Sequence, residues 1–456
     1  MALTLAARLA NYADQLTYES IPVGVIHETK RRIIDSLATA VGAMPSEAYH
    51  FAKACASRVQ STPGATILGG GSSSLEWATF VNGLLIRYLD FNDTYLSKEP
   101  AHPSDNLAAV LAVGQGYQCS GAEMLTAAVL AYEIQCRLCD ASSLRKQGVD
   151  HVTYGAISSS LAAAKLMKLN PTKMTHTVGI AGVCNVALRQ TRSGELSMWK
   201  GCAFANAARN GVFAATLAGE GLTGPAPIFE GDLGFMKLVT REEFDVAPMG
   251  AENGGEPEFM MRKTYIKYWP AEYHSQSAID AALQLRNKIG DLTQIASVDI
   301  ATFEASYNII GKYPEAWAPK TRETADHSLP YCTAVALLDG DVTLHQFDPE
   351  RFTAKDVLDL LKKVTVRLDD ALTPRYPNGI PNRIIVTLQD GTKLVKEVEF
   401  PRGHAGNPMT DEEVEAKFRR LVEPRYGAHR VDEMLATCWN FENLTDVSPL
   451  LAMFQA

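Results

Sequence analysis

Two short stretches hold most of the residue types that acid–base chemistry needs. Arg87, Asp90, Asn92, Asp93, Thr94 and Tyr95 are followed closely by His102, Ser104, Asp105 and Asn106. The residue pattern predicts one helix that ends near Asp90 and another that starts at Ser104, with the Ser104 side chain as its cap. Between them lies a polar loop carrying Asp93, Thr94, Tyr95 and His102. Loops held by rigid helices are where catalytic groups concentrate, since the scaffold fixes them at the surface of a cleft. A carboxyl group and an imidazole differ in basicity, as a paired acid and base must. Two capping motifs around a solvated turn explain the same residues without chemistry.

His151 stands just before an Ala-rich helical run. The positive end of a helix disfavours imidazolium, leaving a neutral ring suited to a base or a hydrogen-bond donor. A local cap or surface histidine is the plainer alternative. Lys200 follows Trp199 and leads into a second Ala-rich run at residues 203–218. A lysine in apolar, aromatic surroundings acquires a partner anion or a lowered pKa, unless its stem packs on the indole with the ammonium in water. Arg322, Asp326, His327, Ser328 and Tyr331 form a third polar stretch, with Lys267 and His274 upstream. Capping and surface ion pairs account for each singly; together they would complete an anion pocket.

Other motifs point away from common chemistries. Gly69, Gly70 and Gly71 precede serines and a helix, but lack the ending of a P-loop and the spacing of a dinucleotide fingerprint. They read as a flexible turn. No G-x-S-x-G, H-E-x-x-H or calcium-loop pattern occurs. Cys136 and Cys139 have C-x-x-C spacing inside a helical run, with no second pair to complete a zinc set. The eight cysteines read as packed, reduced thiols, and no metal site is expected.

The elements that must position these groups are mainly helical. Val25, Ile26, Ile33, Ile34 and Leu37 keep one stripe within 23–41, and similar patterns recur to about residue 266. Beyond Tyr265 the character changes. Residues 279–289 still read as a helix, but 298–303 and the alternating Val364, Val366 and Leu368 read as strands. Asp390-Gly391, between alternating runs at Ile384–Leu388 and Leu394–Phe400, signals a hairpin. Helices return at Thr410, where Thr410 and Glu413 fit a capping box. The expected fold is a mainly α protein: a large helical domain built from both chain ends, 1–266 with 402–456, and an inserted α+β domain, 267–401. A groove between two such domains is a common small-molecule site.

The net charge of −9 opposes loose nucleic-acid binding, which needs a basic face to displace counterions. It leaves room for an anionic small molecule met by a few local cations. Arg8 interrupts the apolar pattern of residues 1–15, which reads as an amphipathic helix and not a signal peptide. No run of 18 or more apolar residues suggests a membrane span. A cytoplasmic protein is expected.

Several segments, in order, resemble the MmgE/PrpD family. They are Asp90 to Thr94, His102 to Asn106, Ser197 to Cys202, Asn206 to Gly211, Gly221 to Pro225, Phe229 to Gly231, and Glu323 to Tyr331. The resemblance covers almost the whole chain. It implies a helical domain with a smaller α+β lid, a homodimer, and no metal or organic cofactor. It also implies dehydration of a small tricarboxylate, 2-methylcitrate to 2-methyl-aconitate, with citrate or cis-aconitate as related substrates. Family site positions carry over onto Asp93, Thr94, His102, His151, Lys200, His274 and Tyr331. Asn92 stands where many relatives have a second Asp, and the flanks of His151 depart from the Gly-Phe-His-Pro form.

Such a dehydration needs a base for a carbon-bound proton, an acid for the departing hydroxyl, and cations for the carboxylates. A cation about 4 Å from a carboxylate contributes around 4 kcal/mol at an effective dielectric near 20, before desolvation. Lys200 is the leading cation, helped by His274 and Lys267. Arg87, Thr94 and Arg322 are further substrate-binding candidates. Asp93 or His102 is expected to take the proton, and His151 or Tyr331 to protonate the hydroxyl, beneath a closing lid. Decarboxylation of cis-aconitate and epimerisation of iminodisuccinate share a carbanion-like intermediate and are rival readings. A non-catalytic helical interaction protein is the rival of a different class.

Overall fold

The computed structural model describes residues 3–194, 196–250 and 258–455. Two compact units emerge. The first comprises Met1–Gly194, Met198–Thr264 and Thr410–Ala456; the second comprises Tyr265–Met409 with Glu195–Ser197. The fold is mainly α. Among the described residues no helix is long and apolar enough to cross a membrane.

The first unit runs through α1 (Leu5–Gln15), α2 (Val23–Ala43), α3 (Glu47–Ala56), α4 (Leu75–Tyr88), α5 (Leu107–Gly116), α6 (Gly121–Ala141), α7 (Val152–Leu166), α8 (Pro171–Cys184) and α9 (Trp199–Gly219), then returns in helices Asp411–Tyr426 and Ala428–Trp439. Local chemistry sets several starts. Ser120 and Glu123 form a reciprocal capping box at α6, and Thr410 and Glu413 do so at Asp411–Tyr426, each satisfying two otherwise orphaned N–H groups. α9 packs on both α4 and α7. Small residues permit the approach: a Cβ on Gly83 would meet the Ala205 Cβ at 3.1 Å, and one on Gly211 would meet the Ala156 carbonyl oxygen at 2.8 Å.

One local expectation gains detail and one needs correction. The triglycine segment is the tight turn of a hairpin, β1 (Gly64–Thr66) with β2 (Ser72–Ser74), with all three glycines at positive φ. Three-residue strands are too short to display alternation. Ser104 does not cap the next helix with its hydroxyl; that helix begins in a tight turn at Pro103–Asn106, where a remote carboxylate takes the Ser104 N–H.

The second unit holds a four-stranded sheet ordered β4-β3-β5-β6, from β3 (Ile295–Thr302), β4 (Val364–Leu368), β5 (Asn382–Leu388) and β6 (Lys393–Val398). β3 and β4 are parallel, so the chain between them must cross over. β5 and β6 pair antiparallel, Val386 opposite Leu394, around Asp390-Gly391, where Gly391 takes φ +86°. Ile300, Ile384 and Val386 pack with Ile279 and Leu285 of α10 (Gln276–Arg286) and with Leu329 and Val335 of the helix Leu329–Asp339.

Candidate active site

In the first unit the polar loop after α4 is folded inward onto buried charge. Arg87 lies in the last turn of α4, and Asp90 follows its end with φ +51°. Aspartate tolerates that left-handed geometry better than most side chains. Arg87 Nη1 donates to Asp90 Oδ1 at 2.6 Å, and Lys200 Nζ donates to Asp90 Oδ2 at 3.1 Å. All three are at most 5% exposed. Lys200 is therefore not a snorkelling lysine; it is a buried cation near the N-terminus of α9, where the helix dipole alone would disfavour it. Asp90 is the compensating charge, and one carboxylate bridges two cations.

The other arm of Arg87 reaches His102. Arg87 Nη2 lies 3.0 Å from His102 Nε2, and His102 Nδ1 lies 2.7 Å from the Asp93 carbonyl oxygen. A guanidinium only donates and a carbonyl only accepts, so the two partners fix a neutral ring with its proton on Nδ1. Thr94 Oγ1 approaches the same Nδ1 at 3.3 Å.

Asp93 has a different place from the one its loop position suggests. It is fully buried, with Oδ1 accepting from the Ser104 N–H at 2.9 Å and Oδ2 from the Tyr132 hydroxyl at 2.7 Å. Its carboxylate fixes the start of the next helix, and its carbonyl orients His102. Lys417 braces the loop from behind, donating to the Phe91 carbonyl oxygen at 2.8 Å while pairing with Asp35 at 2.6 Å. Asn92 donates to Asp105 Oδ1 at 2.7 Å and to Ser104 Oγ at 2.9 Å. Burial pushes the Asp105 carboxyl up to about 8, so it is predominantly protonated at neutral pH. Two Asn92 N–H donors thus serve where a second carboxylate would add another buried charge.

His151 caps α7 with its backbone, 5% exposed. Its ring meets that of His102 edge-on, with centroids 5.7 Å apart. Burial, aided by the Arg192 charge, pulls its pKa down to about 3, so the imidazole is neutral across physiological pH. Arg192 in turn pairs with Asp150 at 2.8 Å. The row Lys200, Asp90, Arg87, His102, His151 and Arg192 sets two adjacent neutral imidazoles between cationic groups, with Asp90 bridging two of the cations. It can hold an anion, accept a proton at an imidazole, and donate hydrogen bonds to a departing oxygen.

The second unit carries its own group. His274 Nδ1 lies 2.6 Å from Glu272 Oε1, and Glu272 Oε2 accepts the His274 N–H at 2.8 Å. Burial raises Glu272, but His274, His327 and Lys267 outweigh it and hold the carboxyl below its ordinary value. His274 Nε2 is buried with no hydrogen-bond partner among the described residues. A carboxylate orienting an imidazole in this way is an arrangement that a general base can use. Lys267 is 1% exposed, and the Arg322 guanidinium sits over the Phe347 ring at 5.9 Å. Tyr331 lies in the apolar core, its hydroxyl donating to the Gln346 carbonyl oxygen.

Sequence reasoning missed Asp90 and Asp105 as site groups, and Asp150, Arg192 and Glu272 altogether. The Arg87–Asp90 spacing of three on a helix end and the Glu-x-His of Glu272 and His274 were the available signals.

Residues 7–247 match the MmgE/PrpD N-terminal domain, and residues 269–441 match the MmgE/PrpD C-terminal domain. The chain belongs to the MmgE/PrpD family. Among its curated relatives, the 2-methylcitrate dehydratase of Cupriavidus necator is 29% identical over 91% of this chain and 91% of its own. The 2-methylcitrate dehydratase of Escherichia coli K12 is 31% identical over 72% and 71%. The cis-aconitate decarboxylase of Homo sapiens is 27% identical over 94% and 90%. This MmgE/PrpD member thus has both dehydratases and a decarboxylase among its relatives.

Proposed function

We propose that this MmgE/PrpD protein is a hydro-lyase that converts 2-methylcitrate to 2-methyl-aconitate. The observation that carries the reading is Asp90 bridging Lys200 and Arg87 while Arg87 faces the lone pair of His102. Substrate carboxylates take the positive edge of Lys200 and Arg87. A carboxylate that draws Arg87 Nη2 releases His102 Nε2, so binding arms the base. The base removes the carbon-bound proton, the carbon–carbon double bond forms, and the carbon–oxygen bond breaks. His151, a neutral N–H donor, stabilises the departing hydroxide, which leaves as water on taking the proton that the base removed, returning the base to its neutral form. Electrostatic placement of this kind commonly supplies more of the rate than the proton transfer itself.

Asp93 is a positioning residue in this reading, and Tyr331 is left out because its hydroxyl already serves the core. His274, oriented by Glu272, is the second candidate base. A homodimeric, cytoplasmic enzyme working without a cofactor belongs to the same reading and rests on the family resemblance. Exchange in deuterium oxide tests the base. Reversible proton removal places one deuterium on the substrate carbon, and His102→Gln abolishes this while His274→Gln slows it at most about tenfold. The opposite pattern transfers the role to His274, and exchange surviving both substitutions overturns the assignment.

The cis-aconitate decarboxylase among the relatives favours one alternative, release of carbon dioxide by the same cation set.

A further inference from the structure

We propose that Arg192 holds an additional carboxylate of the substrate beside His151 and so selects tricarboxylates over dicarboxylates. This rests on the reading of the chain as an enzyme of small polycarboxylates. The Arg192 side chain is 15% exposed and its Nε lies 2.8 Å from Asp150 Oδ2. Nε is engaged by that carboxylate, whereas Nη2 is buried and makes no hydrogen bond among the described residues. A guanidinium offers five donors in a rigid fork and does not lose its charge. A buried donor without an acceptor is unfavourable, and a carboxylate oxygen is the group that fits the fork.

The surroundings favour an anion. Arg189 lies within electrostatic reach of Arg192 and of Arg145, and of the opposing carboxyl groups of Asp150 and Glu99. Burial raises Asp150, but Arg192 and His151 overcome it and hold the carboxyl below its ordinary value. Glu99 is pushed up by burial. Arg189 and Arg192 both act on Asp150, so two guanidinium groups share that one carboxylate. Both side chains are only partly exposed, so salt screens them less than it would at an open surface.

Position completes the case. Asp150 Oδ1 lies 3.6 Å from His151 Nε2, so Arg192 and His151 flank the same carboxyl group. Arg192 is at one end of the row and Lys200 at the other, with His151, His102, Arg87 and Asp90 between. A ligand with carboxylates at Lys200 and Arg87 needs a further carboxylate to engage Arg192. Dicarboxylates leave it unfilled.

Calorimetric binding of two unreactive ligands tests this independently of turnover: propane-1,2,3-tricarboxylate, and pentanedioate, which lacks the central carboxylate. Wild type is expected to prefer the tricarboxylate. Arg192→Gln should weaken its binding about 10- to 100-fold, with pentanedioate changed less than about threefold. Arg192→Lys keeps the charge but not the fork and should fall between. Circular dichroism and the unfolding midpoint establish that both variants fold. Unchanged tricarboxylate binding in Arg192→Gln, an equal loss for both ligands, or no preference in wild type overturns the proposal. A wild type that binds the tricarboxylate selectively yet turns over no substrate leaves the subsite standing and defeats only the dehydratase reading.

Discussion

Arg87 donates to His102 Nε2 at 3.0 Å with the same guanidinium that pairs with Asp90 at 2.6 Å. One side chain thus reports the state of a carboxylate to an imidazole. While the contact holds, the ring is neutral and its lone pair is engaged. An anion competing for Arg87 changes both conditions, which ties base strength to substrate binding.

Asp90→Asn tests the bridge. The amide leaves Arg87 and Lys200 as buried cations without their shared counter-charge. Stability is expected to fall by about 3–5 kcal/mol, measured by urea unfolding, and turnover by at least about 100-fold. A variant with near-wild-type stability and rate would show that the carboxylate is not what holds the cations.

Asp93→Asn separates positioning from contact with substrate. The amide retains one acceptor oxygen for the Ser104 N–H or the Tyr132 hydroxyl. The expected cost is about 1–2 kcal/mol, with turnover within about tenfold of wild type. Initial rates beside those of His102→Gln decide the matter, since an equally deep loss would return Asp93 to the reacting centre.

The fold and the site were legible to different depths, for physical reasons. Helical stripes, the Asp390-Gly391 hairpin and the Thr410–Glu413 box are written in contiguous residues, so local chemistry reveals them. The mainly α class follows from the same patterns. His151 at the head of α7 was likewise readable. The pairing of Lys200 with Asp90 spans 110 positions, and no local pattern records it. Asp93 looked like an exposed loop acid because its partners, Ser104 and Tyr132, lie 11 and 39 positions away. Tyr331 belongs to an apolar helix whose inward face becomes evident only with the sheet beside it.

Tyr331→Phe is expected to leave turnover within about twofold of wild type and to cost about 1–3 kcal/mol. The hydroxyl is spent on the Gln346 carbonyl oxygen, and its loss strands that acceptor in the core. Thermal unfolding and steady-state rates check this; a stable but inactive variant would restore Tyr331 as an acid.

His151 gives the stability a pH dependence of known sign. Its folded pKa, about 3, lies below the ordinary 6.5, so between those values the unfolded chain binds the extra proton. The neutral ring's contribution is intact above pH 6.5 and is lost as pH falls toward 3. Wild type should lose up to about 1.4 kcal/mol more per pH unit than His151→Gln across that window. Parallel unfolding profiles would mean the ring titrates normally.

Metal-stripped protein mixed with 2-methylcitrate, with unsaturated product and carbon dioxide followed together, tests the central claim most directly. The expected result is 2-methyl-aconitate without carbon dioxide, and loss of that product in Asp90→Asn. No unsaturated product from 2-methylcitrate, with carbon dioxide released when cis-aconitate is supplied, would contradict the dehydratase assignment.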